Sequence, residues 1–254
     1  MATKPKDSDT QAPTMADLDD AQETYVPAVV SNELRLGVVD GDVSATDIQL
    51  PRLSLVYGVG KLSAEFNPGS FVLAGENLLV QKNEPLNVII LQATQYWKEY
   101  TTKEMFDNGQ LPRSFTTAAE VHEAGGTTEW NGPVGPTFKR AMQLKMLIEQ
   151  PANVICGLFG VTIGDTKYAP AKWDVDKSAY TRIGPVVNSA ARFTLAEKGL
   201  LGAVFELRTK SETSKKSGNV VVVPTIKIAR FNTDETIAEI KALFAQQTSD
   251  QAPF

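Results

Sequence analysis

Apolar positions along this chain recur mostly with the two-residue period of a strand, and Gly, Pro and Asn interrupt them at short intervals. Leu53-Ser-Leu-Val-Tyr57 alternates apolar with small residues and stops at the turn Gly58-Val-Gly60. Asn67-Pro-Gly69 is a second strong turn signal, followed by Phe71-Val-Leu73 and the break at Gly75-Glu-Asn77. Residues 78–81 and 86–97 then read as strands separated by Asn83-Glu-Pro85. Further on, residues 153–163 read as a strand with Gly157 and Gly160 at bulges, and residues 201–208 as another. Residues 210–218 form a charged turn, and residues 219–231 supply more strand around Val220-Val-Val-Val223, with Pro224 marking an edge or a bulge.

Helical signals are fewer. Residues 138–150 fit two templates: Ala141, Leu144, Leu147 and Ile148 lie on one helical face, whereas Met146-Leu-Ile148 could begin a strand. Residues 178–190 read as helix broken at Gly184-Pro185. The last helix, 233–247, is clear. Asn232-Thr-Asp-Glu235 forms a capping box with Asn232 at the cap, and Ile237, Ile240, Leu243 and Phe244 make one stripe. Residues 101–137 are rich in Gly and Pro and read as loop, and residues 33–47 as a weak strand. The pattern divides the chain into a disordered acidic arm (1–30), one β-rich domain (31–247) and a flexible tail (248–254).

Composition narrows the chemistry. With 42% hydrophobic and 22% charged residues over 254 positions, the chain matches an ordinary soluble domain. No apolar run spans a bilayer, and residues 1–22 lack the apolar core of a secretory signal, so a cytoplasmic protein is expected. One cysteine (Cys156) and one histidine (His122) argue against a disulfide framework, cysteine zinc sites and His-dependent nucleophiles. Gly58-Val-Gly60-Lys61 fails as a phosphate loop, because Leu55 and Leu62 stand where Gly and Ser or Thr are needed. Asp40-Gly-Asp42 fails as a calcium loop, with Ala45 and Pro51 at the key positions. No catalytic residue, metal or cofactor is expected.

The net charge of -5 hides an asymmetry. Residues 139–230 carry fifteen basic and seven acidic side chains, whereas the segments on either side are acidic. Aromatic residues sit beside cations in and around this basic body: Tyr96-Trp97-Lys98-Glu99-Tyr100, Lys139-Arg140 after Phe138, Lys172-Trp173, and Tyr180-Thr181-Arg182. Exposed bases need flat stacking partners and the phosphate backbone needs cations, so this pairing points to single-stranded nucleic acid. Tyr96, Trp97, Lys98, Tyr100, Lys139, Arg140, Lys172, Trp173, Tyr180 and Arg182 are the candidate DNA-binding residues, expected on one concave wall. Pro253 and Phe254 end the tail with an aromatic ring and a carboxylate, a candidate partner-binding element.

Three segments together resemble bacteriophage single-stranded-DNA-binding proteins of the oligonucleotide-binding (OB) barrel type. These are Leu50-Pro-Arg-Leu-Ser-Leu-Val56 leading through Asn67-Pro-Gly69 to the strand at 88–100, and Trp173-Asp-Val-Asp-Lys-Ser-Ala-Tyr180 followed by a late hairpin and a terminal helix. The third is the ending Ala252-Pro-Phe254, similar to the tails of bacterial single-strand binders, although Asp250 is its one acidic residue. The resemblance implies a mainly β, OB-like barrel with long loops, additional strands and a C-terminal helix. It implies a protein that coats single strands during phage DNA replication or recombination without catalysis, in the host cytoplasm. Acidic termini competing with DNA, replication or recombination proteins recruited through the tail, and self-association belong to the same expectation. Two other classes fit the sequence: a phage structural or scaffold-associated protein assembling through the same surface, and a metal-dependent DNA-processing enzyme.

Overall fold

The computed structural model describes residues 49–213 and 218–249. Strands dominate. β1 (Leu53–Leu55), β2 (Phe71–Leu73) and β3 (Asn77–Val80) form a small antiparallel sheet in that order. The larger sheet holds β4 (Leu86–Glu99), β5 (Ser114–Phe115), β6 (Phe138–Glu149), β7 (Val161–Ile163), β8 (Thr166–Asp176), β9 (Ala203–Thr213) and β10 (Val220–Phe231). Its order is β10-β9-β4-β6-β8-β7, with β5 paired to the end of β4. Four helices punctuate the strands: α1 (Lys103–Asp107), α2 (Ala118–Glu123), α3 (Lys177–Ser189) and α4 (Asp234–Ser249).

Period-two burial builds the core. On β6, Met142, Leu144, Met146 and Ile148 are fully buried on one face, and the strand runs unbroken from Phe138 to Glu149. The helical spacing of Ala141, Leu144, Leu147 and Ile148 is incidental, because both faces of this strand are covered at its far end. The same face carries Leu86, Val88 and Ile90 from β4, Ala171, Trp173 and Val175 from β8, and Phe205 and Leu207 from β9. Leu53, Leu55, Phe71 and Leu73 of the small sheet pack into that cluster, as do Ala179, Ile183 and Val187 of α3. Each of these larger side chains contributes roughly 1.5–3 kcal/mol by leaving water. The two sheets also meet at one bridge, Arg52 with Lys172, where Lys172 N–H donates to Pro51 O at 2.9 Å.

Several local expectations are corrected. Residues 153–160 form no strand, which begins only at Val161: turns fall at 152–153 and 157–158, with Gly157 in the second and Gly160 in irregular chain. α3 runs through Gly184-Pro185 without a break and ends in a wider π turn over Ala190–Thr194. Packing of Ile183 and Val187 into the core outweighs the donor lost at Pro185. Residues 101–137 contain α1, α2 and β5 as well as loop. The cap of α4 is Thr233, whose hydroxyl accepts from Thr236 N–H at 3.2 Å, whereas Asn232 donates its amide to Leu201 O. The edge role of Pro224 is met: β10 ends the sheet, with a bulge between Ile228 and Arg230. The arm, the weak strand at 33–47 and the tail with Pro253 and Phe254 lie outside the described residues. Among the described residues no helix is long and apolar enough to cross a membrane.

Candidate functional site

The face of the large sheet opposite the core is divided in two. Toward one end of the strands it is apolar, and Ile89, Leu91, Leu147, Tyr168 and Val204 pack there with Ile240, Leu243 and Phe244 of α4. Toward the other end it is polar and carries a grid set by register. Gln92, Lys145 and Lys172 lie side by side across β4, β6 and β8; Thr94, Gln143 and Asp174 form the next row, then Tyr96, Ala141 and Asp176, and finally Lys98 beside Lys139. Directly paired residues of adjacent strands share a face, so these side chains are neighbours about 5 Å apart across the sheet. Arg52 joins the edge of the grid through Asp174, with 3.9 Å between Nε and Oδ2. Tyr100, just past β4, lies under the Lys139 ammonium, 5.3 Å from its ring centre.

Five cations therefore face two carboxylates. Asp176 takes a 2.8 Å hydrogen bond from Lys139 Nζ and lies 3.7 Å from Lys98 Nζ. Asp174 accepts from Gln143 Nε2 at 3.1 Å. Burial pushes the Asp176 carboxyl up, but the Lys139 hydrogen bond and the charges of Lys139, Lys98 and Lys177 outweigh it and hold the group below its usual value. Burial likewise pulls Lys139 below the ordinary lysine range, and its bond to Asp176 offsets only part of that. Lys145 and Lys172 form no ion pair among the described residues, so their charge is open to a ligand.

The Tyr96 phenol is pushed up to about 12 by burial, by the neighbouring charges of Asp174 and Asp176, and by donating a hydrogen bond to Asp174; Arg52 opposes this. The folded protein thus keeps a proton that the unfolded chain releases above about pH 10, and stability falls as pH rises from about 10 to 12. Tyr96→Phe removes that proton, so the stability gap between wild type and variant is expected to move in the variant's favour from pH 9 to pH 11 in urea titrations. An unchanged gap would show that folding does not raise the phenol.

Five of the sequence candidates meet on this polar half: Tyr96, Lys98, Tyr100, Lys139 and Lys172. The single wall expected for all ten is corrected by the pleat. Trp97 and Arg140 are paired with each other on the opposite face, the guanidinium 5.3 Å from the indole centre. Trp173 is core, only 4% exposed and edge-on to Phe71 with ring centres 5.8 Å apart. Tyr180 packs against the core from α3, over Gly184, where an added Cβ would lie 2.8 Å from its ring. Arg182 on α3 is engaged by Glu212 of β9. Lys145 and Arg52 were missed: Lys145 has no aromatic neighbour in sequence, and Arg52 reaches the grid only through the bridge to β8.

No known protein family, curated protein or solved structure matches the chain. Among the described residues, no group of three or more His, Cys, Asp and Glu side chains is placed to hold a metal ion.

Proposed function

We propose that the polar half of the outer face binds single-stranded DNA without strong sequence preference, as the resemblance to phage single-strand binders of the OB type implies. The observation that carries this is the register: Lys98, Lys145 and Lys172 share one face with Tyr96 and Tyr100, with the buried Lys139 beside them and Arg52 joining through Asp174. Such a grid offers cations to phosphates and rings to bases at the spacing of adjacent strands. Contacts to phosphates and ring faces are alike for every base, so sequence tolerance follows. A coating role in DNA replication or recombination fits a surface of this kind, backed by two antiparallel sheets packed on one core. Binding here uses no bond-making step and no cofactor.

Tryptophan emission is a poor reporter of this face, because Trp97 lies on its reverse and Trp173 in the core. The test is fluorescence anisotropy of labelled oligo-dT at two salt concentrations. Saturable binding that weakens steeply with salt is expected, with log K falling by roughly 0.7 per phosphate contacted for each log unit of salt. Absence of binding at low salt would overturn the proposal and favour a scaffold role. Magnesium-dependent cutting of the oligonucleotide would favour an enzyme.

A further inference from the structure

Where β8 passes into α3, the outer face adjoins a cleft of about 790 Å³, a size that suits a small ligand. Asp176 belongs to both: it is bound by Lys139 on the face and lines the cleft. Around it stand Tyr57, Lys82, Lys177 and the valines 220–222. We propose that this cleft is a nucleotide subsite, taking one base and an adjoining phosphate of the strand that leaves the outer face. The inference rests on the reading of that face as a DNA-binding surface and extends it to a defined pocket.

The chemistry of the lining selects the ligand class. Tyr57 is 41% exposed, so its ring is available to a stacking partner, and Val220 and Val221 are 70% and 40% exposed on the facing hairpin. Burial, and secondarily the charge of Asp176, raise the Tyr57 phenol, which therefore stays neutral at working pH. Lys82 lies with its stem across Gly69, where an added Cβ would meet its Cγ at 2.8 Å, so the glycine fixes the path of this cation. Neither Lys82 nor Lys177 forms an ion pair among the described residues. An apolar ligand would leave both lysines unused, and a divalent ion would lack the carboxylates it needs. A nucleotide uses every part: ring on ring, sugar on the valines, phosphate on the lysines. Every base carries an N–H on its pairing edge, so the Asp176 carboxylate can accept from any of them without imposing a sequence.

The experiment measures affinity for labelled oligo-dT of about 12 nucleotides, within the span of a single barrel-type binder. Tyr57→Ala and the double variant Lys82→Ala/Lys177→Gly are each expected to weaken binding roughly 5- to 100-fold, and Tyr57→Phe to bind as wild type. Glycine at 177 suits the backbone there, where φ is +49°, so the double variant removes charge without straining the chain. It also keeps the test decisive should Tyr57→Ala fold poorly. If both weakening variants bind like wild type while charge reversal of Lys145 and Lys172 weakens binding, the cleft is overturned and the outer face stands. If wild type itself fails to bind, both fall together.

Discussion

Lys145→Glu/Lys172→Glu is expected to lower affinity for oligo-dT by roughly 10- to 100-fold near 0.1 M salt and to flatten the salt dependence by about 1.4 in log–log slope, two contacts' worth for a single strand. These two lysines are the cleanest targets on the face. Lys145 is exposed on β6, Lys172 sits beside it on β8, and neither pairs with a carboxylate among the described residues. Their reversal should therefore leave thermal unfolding nearly unchanged, within the roughly 0.5 kcal/mol typical of surface substitutions. Lys139 behaves differently. It is nearly buried, and Asp176 depends on it, so its loss would strand a half-buried carboxylate and mix a folding defect with any binding defect. Equal affinity and equal slope in the double variant would remove the outer face from the binding site.

Trp173→Ala is expected to cost about 3–5 kcal/mol of stability, read as a lower urea midpoint, because it empties a site in the middle of the core. Phe71 would lose its edge-on partner, and Leu144, the cross-strand neighbour on β6, would border the void. Trp173→Phe should retain most of the stability and all of the oligo-dT affinity. That combination separates a core ring from a stacking platform. Were Trp173→Phe stable but weak in DNA binding, the indole would have to reach the ligand, against its placement beneath β1 and β2.

The positions of most strands were legible because turn residues bracket them, as at Asn67-Pro-Gly69 and Asn83-Glu-Pro85, whereas the charged turn expected over 210–218 is corrected in its first part, since β9 continues to Thr213. β8 was not recognised, although Ala169, Ala171, Trp173 and Val175 show the alternate burial of a strand; Pro170 and the charged residues between them disguise it. Without β8 the register that joins Lys145 to Lys172 had no basis. Aromatic–cation neighbours in sequence were a poor geometric signal, since a strand sends consecutive side chains to opposite faces. Tyr96 and Lys98, two apart, therefore stay together, while Trp97 between them turns away. Pairing across strands depends on long-range register, which local patterns leave open.

The terminal strand β10 has a consequence for copies of the protein that meet edge to edge. Pro224, opposite Thr209 on this edge strand, has no N–H to offer. The bulge after Ile228 bends the same rim. Copies that meet at this edge thus lack the uninterrupted backbone template on which sheets fuse, which disfavours growth into fibre-like aggregates.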